Sequence, residues 1–362
     1  MSVHLVYPDK YESLLQNKVR VTEEAFAEFQ APALEVHSSP ASHFRMRAEF
    51  KIWLSGETAS YAMYEPGKTK KFFTITEFPV ASCTINNLMP KILEAVNASP
   101  LMRTRLFQAE FLTSTIGEAV VTLIYHRPLN DDWRLLAEAL AQELGVSIIG
   151  RSKKQKIIVG KDYVNEVFRV KGCDYHYRQV EAAFSQPNAA VCEKMLNWAA
   201  DVAGSLTGDL LELYCGNGNF TLPLASQFDR VLATEISKSS VNTALANLDT
   251  NNIDNVQLVR MSSEELTQAI NGVRKFRRFQ GVDLQDYNFT TLFVDPPRAG
   301  LDETTLALAK NYENIIYISC NPQTLHRDLT SLFATHAIQR FALFDQFPYT
   351  DHRECGLLLS RR

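Results

Sequence analysis

From about Asp209 onward the chain alternates short β-rich apolar runs with helix-like stretches. Asp209–Tyr214, Arg230–Glu235, Val256–Met261, Thr290–Asp295 and Ile315–Cys320 read as strands. Segments near Ser239–Leu248, Ser263–Phe279, Glu303–Lys310 and Gln323–Phe333 read as the helices between them. That rhythm predicts a doubly wound parallel sheet. Two more apolar runs, Ile338–Asp345 and Gly356–Ser360, are separated only by Gln346–Cys355. So short a connection holds no crossover helix, so the last two strands are expected to pair antiparallel. Glu354 then falls on the same sheet edge as Cys320 and Asp295, where ligands of open α/β sheets collect.

Residues 1–180 lack this rhythm and mix strands with helices, which predicts a separate α+β domain there and an α/β domain over 181–362. A length of 362 residues suits two domains of ordinary size. With 46% hydrophobic and 22% charged residues, no membrane-spanning run and no export signal at the N-terminus, a cytoplasmic protein without membrane association is expected. Cys83, Cys173, Cys192, Cys215, Cys320 and Cys355 are dispersed without a Cys-x-x-Cys pair, which argues against disulfides, zinc and iron–sulfur clusters. The net charge of −4 disfavours a nucleic-acid partner until the chain is divided. Residues 1–185 carry 22 Lys+Arg against 21 Asp+Glu, and the remainder 15 against 20, so basic charge concentrates in the first half. Its clusters are Arg45, Arg47 and Lys51; Lys68, Lys70 and Lys71; and Arg151, Lys153, Lys154 and Lys156. Each is a candidate phosphate contact, with solvated surface as the plain alternative.

Leu211-Glu212-Leu213-Tyr214-Cys215-Gly216-Asn217-Gly218-Asn219-Phe220 is a strand running into a glycine turn that opens a helix. Glycines there let a ligand approach the backbone. Glu235 ends the next strand, where an acid meets ribose hydroxyls in nucleotide-binding sheets. NAD and S-adenosylmethionine both satisfy this arrangement. Thr221 stands where a dinucleotide fingerprint has its third glycine, and Glu212 with the antiparallel last strand favours S-adenosylmethionine.

Cys320 closes an apolar strand and is followed at once by Asn321-Pro322, which displays a thiol at the crevice. Beside a methyl donor, a thiolate suits methylation of a pyrimidine carbon. Adding to uracil C6 makes C5 an enolate carbon, and cysteine is both a strong nucleophile and an acceptable leaving group. A base must then take the C5 proton, and Glu354 is the carboxylate best placed for it. A packing thiol and a surface carboxylate are the alternatives, but they do not explain the joint placement. Asp295 is stiffened by Pro296 and Pro297. Amino-directed methyltransferases carry a similar Asp-Pro-Pro with an aromatic residue next, whereas Arg298 follows here. The Pro-Cys and Thr-Cys dipeptides of cytosine-C5 RNA enzymes are absent.

Three segments in order, Asp295-Pro296-Pro297-Arg298-Ala299-Gly300, Ile315–Thr324 and Asp345–Glu354, resemble the RNA uracil-C5 methyltransferases. Phe184-Ser185-Gln186-Pro187-Asn188 and Ser42–Phe50 resemble the tRNA-directed branch of that family, which acts on uridine 54 of the T-loop. The resemblance implies a class I, Rossmann-like S-adenosylmethionine-dependent methyltransferase sheet with an antiparallel seventh strand, plus an N-terminal α+β RNA-binding domain. It assigns Cys320 as nucleophile and Glu354 as C5 proton acceptor, with cofactor contacts from Gln186, Tyr214, Gly216, Asn219, Glu235 and Asp295. It implies a tRNA T-arm substrate, with the T-loop of tmRNA as a further one, and no metal or obligate protein partner. Ribosomal relatives usually carry an N-terminal RNA-binding barrel and a four-cysteine iron–sulfur cluster, whereas this chain has no cysteine before Cys83 and no room for the barrel, which favours the tRNA branch. A ribosomal RNA substrate and a chiefly RNA-binding or RNA-folding role are the competing readings. Arg353 stands where the family usually has an apolar residue. A T-loop uridine sits in tertiary structure, so base flipping is implied. The basic clusters, with Arg274, Lys275, Arg277 and Arg278, are expected to hold the RNA backbone, and His43 and His352 to contact RNA, orient Glu354 or serve structure alone.

Overall fold

The computed structural model describes residues 5–64, 71–274, 276–279 and 281–362 of the chain. Lys68, Lys70 and Lys275 lie outside these described residues. Two compact units are present. One is built on Pro40–Val167 with Gln179–Ala189, the other on Lys10–Ser39, Phe168–Arg178 and Ala190–Arg362. The division therefore differs from a single boundary near residue 180, and the physical reason is strand pairing and packing. Glu35–His37 adds a parallel strand to the C-terminal sheet, and Phe26 and Phe29 are buried in its core.

The first unit is a seven-stranded sheet in the order Phe72–Ile75, Thr58–Tyr64, Arg47–Ser55, Leu106–Thr113, Ala119–Tyr125, Ser147–Ser152, Gln155–Val159. All neighbours run antiparallel except Ala119–Tyr125 and Ser147–Ser152, which are joined through the helix Asp131–Leu144. Parallel strands need such a crossover. The helix starts where the Asn130 side chain accepts the Trp133 N–H at 3.1 Å, and Gly145 at φ +66° ends it. The helix Cys83–Ala98 is capped by Ser82 and buries Ile85, Leu88, Met89, Ile92 and Val96, a stripe of helical period.

The second unit is an eight-stranded sheet. Its strands in chain order are β1 (Glu35–His37), β2 (Asp209–Leu213), β3 (Val231–Glu235), β4 (Val256–Arg260), β5 (Phe289–Val294), β6 (Asn314–Ser319), β7 (His336–Phe344) and β8 (Glu354–Arg361). Across the sheet the order is β1-β7-β8-β6-β5-β2-β3-β4. As the sequence predicts, β8 is antiparallel to both β6 and β7, and β2 to β6 are parallel. Its helices are α1 (Pro8–Phe26), α2 (Ala189–Ala203), α3 (Thr221–Ala225), α4 (Lys238–Thr250), α5 (Ser263–Ile270), α6 (Glu303–Ala309) and α7 (Pro322–Leu332). The helix expected over Ser263–Phe279 stops at Ile270, because Gly272 turns left-handed at φ +68°, and the 3₁₀ turn Arg277–Phe279 stands in its last part.

One core cluster gathers alternate residues of the central strands: Leu211 and Leu213, Leu292 and Val294, Ile315 and Tyr317, Cys355, Leu357 and Leu359. Helices α1, α6 and α7 cover this face with Phe26, Leu308, Leu325, Leu329 and Leu332. Strand residues of the other parity point the opposite way.

Candidate active site

Parity alone groups the reactive side chains. Glu212 on β2, Asp295 just past β5, Cys320 just past β6 and Glu354 at the start of β8 all alternate with the residues of that core cluster, so they share the other face of the sheet. The register finishes the placement. Ser319 pairs with Cys355 and Ile318 with Gly356, so Cys320 falls opposite Glu354. Glu354 is also held against Phe344 of β7.

The thiol of Cys320 is half-buried and pushed up to about 11, chiefly by burial and then by the acidic neighbours Glu354 and Asp295, with Arg298 opposing. Glu354 is buried and held well above the usual carboxylate range by burial and by Asp295, with Arg298 again opposing. Burial raises Asp295 to about 7. The resting crevice therefore stores protons on groups whose charged forms the chemistry needs, and Arg298 is the cation that favours those charged forms. Its loop is fixed to the start of α7, since the Arg298 carbonyl accepts from Asn321 Nδ2 at 2.9 Å and from Thr324 Oγ1 at 3.3 Å. Asn321 also caps α7, its Oδ1 accepting the Gln323 N–H at 3.2 Å, with Pro322 in the first helical position.

Next to this crevice lies a cavity of about 510 Å³ lined by Tyr214, Thr234, Glu235, Ile236, Met261 to Glu264, Pro297, Ala299 to Asp302 and Arg327. The turn beside it runs through left-handed Tyr214, Gly216 and Gly218, at φ +61°, +57° and +84°. Glu235 braces that turn, its Oε2 accepting the Gly216 N–H at 3.1 Å and its Oε1 the Ser237 N–H at 2.7 Å. Tyr214 donates its hydroxyl to Ser263 Oγ at 2.8 Å.

Of the expected cofactor residues, Tyr214 and Glu235 line the cavity, Gly216 and Asn219 belong to the adjoining turn, and Asp295 follows the end of β5, near enough to Cys320 to act on its thiol. Gln186 belongs to the first unit and is half-buried there. Ser262, Ser263, Asp302 and Arg327 were not legible as site residues. The first three follow the carboxyl ends of β4 and β5, a positional signal. Arg327 comes from α7, where it donates to the carbonyls of Ala299 and Leu301 at 3.1 and 2.9 Å, and no sequence signal marks it.

Buried polar groups test whether this site fits S-adenosylmethionine. Neither carboxylate oxygen of Glu212 has a hydrogen-bond partner among the described residues, nor does Nδ2 of Asn219. Burial pushes Glu212 up to about 8, with Asp295 adding to the rise. Orphaned groups of this kind are rare in folded proteins. An acid awaiting a donor and an amide awaiting an acceptor suit the ammonium and carboxylate of an amino-acid moiety, while Glu235 and the serines suit ribose and base. The residues fit the group. Among the described residues no three His, Cys, Asp or Glu side chains are grouped to hold a metal ion.

Several basic and imidazole residues have structural duties. Arg47 donates to the carbonyls of Glu181 and Val180 at 3.1 and 3.4 Å, Arg45 donates to the Arg47 carbonyl at 2.7 Å, and burial lowers both guanidinium pKa values. Lys51 donates to Gln108 and lies 4.0 Å over the Phe107 ring. Arg151 and Lys156 are paired with Glu181 and Asp162, whereas Lys153 and Lys154 are exposed. Arg278 pairs with Glu265 at 3.1 Å, Arg274 covers Phe276, and Arg277 is exposed. His43 Nδ1 lies 3.0 Å from the Ala81 carbonyl. His352 packs on Phe347 and is lowered to about 4 by burial and by Arg298 and Lys18, so it is neutral at pH 7. Among the described residues no helix is long and apolar enough to cross a membrane.

A family model described as tRNA (Uracil-5-)-methyltransferase matches residues 10–362. A protein of Saccharophagus degradans named tRNA/tmRNA (uracil-C(5))-methyltransferase is 58% identical over 356 residues, covering 98% of each chain. One of the same name from Azotobacter vinelandii is 55% identical over 362 residues, covering 100% of each. Among solved structures, the Pyrococcus abyssi tRNA (uracil-54, C5)-methyltransferase in complex with S-adenosyl-L-homocysteine shares the fold, with a TM-score of 0.72 at 21% identity, over 96% of this chain and 83% of that one.

Proposed function

The chain belongs to the tRNA (uracil-5-)-methyltransferase family, and from that premise we propose that it methylates C5 of uridine 54 in the T-loop of tRNA, and the matching loop of tmRNA, in the cytoplasm. It is an S-adenosylmethionine-dependent enzyme. The observation that carries the finer reading is the register that sets Cys320 opposite Glu354.

S-adenosylmethionine, when bound, supplies an electrophilic methyl group on a sulfonium centre. Glu212, Asn219, Glu235, Tyr214 and the cavity serines are the residues that would hold it. The thiol of Cys320 first loses its proton, favoured by Arg298, and its sulfur adds to uracil C6, making C5 the nucleophilic end of an enolate. Once C5 carries the methyl group, Glu354 takes the C5 proton. The electron pair of that C–H bond re-forms the C5–C6 double bond and expels the Cys320 sulfur. Since Glu354 lies buried at a strand start, the uridine must leave its loop to reach it, which costs a few kcal/mol of unstacking. The first unit, with exposed Lys153 and Lys154, supplies the RNA-backbone contacts in this reading.

Incubation of the purified protein with S-adenosylmethionine and an unmodified tRNA transcript, followed by nuclease digestion and mass spectrometry, tests the proposal. One methyl group on the T-loop uridine, abolished in Cys320→Ala, is expected. A folded protein that binds tRNA yet leaves every uridine unmethylated would refute it.

A further inference from the structure

Helix α1 buries Leu15, Lys18, Thr22 and Phe26, a single stripe of helical spacing in which a lysine and a threonine stand where apolar residues are expected. The lysine has a defined task. Lys18 Nζ donates to Asp345 Oδ1 at 2.6 Å and to the Phe347 carbonyl at 2.9 Å, and the two charged side chains are only 7% and 1% exposed. Asp345 and Phe347 begin the connection that leaves β7 and returns as β8, whose first residue is Glu354. Two further contacts join α1 to the same connection. The Tyr11 and Tyr349 rings meet edge-on at 6.1 Å, and Arg353 Nη1 donates to Thr22 Oγ1 at 3.4 Å.

A buried ion pair of this kind gives little net stability over apolar residues of the same volume, because both charges lose their hydration. What it supplies is geometry, since two charge-assisted bonds to one ammonium fix where Asp345 and Phe347 sit. Glu354 is pinned on one side by the β8 ladder and on the other by this connection, and α1 grips the connection at its beginning, middle and end.

We propose that Lys18 is a positioning residue for the C5 proton transfer, with α1 acting as a splint that holds the 345–353 connection so that Glu354 reaches the C5 proton. The proposal rests on Glu354 being the base. Its consequence is specific to one step. Attack by Cys320 and methylation at C5 do not require Glu354, but breaking the carbon–sulfur bond requires the electrons of the C5–H bond. A misplaced base therefore leaves methylated RNA attached to Cys320.

The test compares wild type, Lys18→Met, Lys18→Met/Asp345→Asn and Glu354→Gln, each with S-adenosylmethionine and a tRNA transcript. Turnover, KM for tRNA, thermal melting and the denaturant-stable protein–RNA adduct are measured. The double variant leaves no unpaired charge in the core and carries the test if Lys18→Met alone fails to fold. The expected result is a kcat about tenfold to a hundredfold lower, a KM for tRNA lowered with it so that kcat/KM is little changed, and adduct accumulating as in Glu354→Gln. A folded double variant with wild-type kcat, or with lowered kcat and no adduct, overturns the proposal while the role of Glu354 stands. Failure of both Lys18 variants to fold also overturns it, by making the pair a folding requirement. Absence of adduct in Glu354→Gln itself would remove Glu354 as the base, and the role of Lys18 with it.

Discussion

Ser319 lies opposite Cys355 across the antiparallel seam of β6 and β8, and the next step of that register sets Cys320 opposite Glu354. Directly opposed residues have Cβ atoms about 5 Å apart, so the thiol and the carboxyl group titrate in each other's field. Cys320 in the free enzyme is pushed up to about 11. Alkylation by iodoacetamide, resolved peptide by peptide, should be slow at Cys320 near neutral pH and rise about tenfold per pH unit, since only the thiolate reacts. Glu354→Gln should move the inflection downward by removing an acidic neighbour. A wild-type inflection at or below the ordinary thiol value of about 8.5 would contradict this.

The β-carbon that Gly356 lacks would fall 2.9 Å from both the Trp198 and Phe344 rings. Those rings already meet edge-on at 5.7 Å, and Phe344 is the register partner of Glu354. Gly356→Ala must therefore shift α2 or β8. Overpacking of this kind costs about 1–3 kcal/mol, and a displaced β8 carries Glu354 with it. A lowered melting temperature together with a kcat reduced about tenfold or more is expected from calorimetry and single-turnover assays. Wild-type values for both would show that the two rings yield without moving the strand.

Glu212 makes stability depend on pH in an unusual direction for an acid. The folded chain keeps its proton up to about pH 8, whereas the unfolded chain releases it near its ordinary value of about 4.3. Between those values the folded state binds more protons. The contribution is therefore fully present below the lower value, falls as pH rises and is lost above the upper one. Glu212→Gln should melt at a higher temperature than wild type at pH 9, with the difference shrinking toward pH 5. Each tenfold change in acidity is worth about 1.4 kcal/mol, so the effect amounts to a few kcal/mol. An equal difference at both pH values would mean that Glu212 does not release its proton within this window.

The sheet was legible because its order follows from local pattern. Five apolar runs with helices between them, and a last connection too short for a helix, suffice to set Glu354 beside Cys320. The chain's first forty residues were not legible in the same way. Strand β1 is only three residues long, with Val36 exposed, and offers no period to read. The value of α1 lies in Lys18, which looks like surface in a sequence and becomes buried only through Asp345, 327 residues away. For a related reason, spacing does not tell a free cation from one already engaged within the fold. Arg47 looks like Lys153 until the carbonyls of Val180 and Glu181 are seen to hold it.

That distinction yields a test of the first unit. Lys153 and Lys154 occupy the exposed turn between Ser147–Ser152 and Gln155–Val159, whereas Arg151, two residues before Lys153, is bound to Glu181, which is only 5% exposed. Reversing Lys153 and Lys154 to glutamate should leave the melting temperature unchanged. It should weaken tRNA binding and reduce the slope of log affinity against log salt by about 1.5, the value for two lost phosphate contacts. Arg151→Ala should do the opposite. Glu181 then keeps only the Thr122 hydroxyl at 3.0 Å and Lys156 at 3.6 Å, a loss of charge-assisted bonds worth about 1–3 kcal/mol, so the protein melts earlier, while the salt slope measured on the folded fraction stays near wild type. Both slopes can be read from one filter-binding series between low and moderate salt. If the lysine reversals leave the slope unchanged, the RNA backbone does not pass this turn, and the phosphate contacts lie elsewhere.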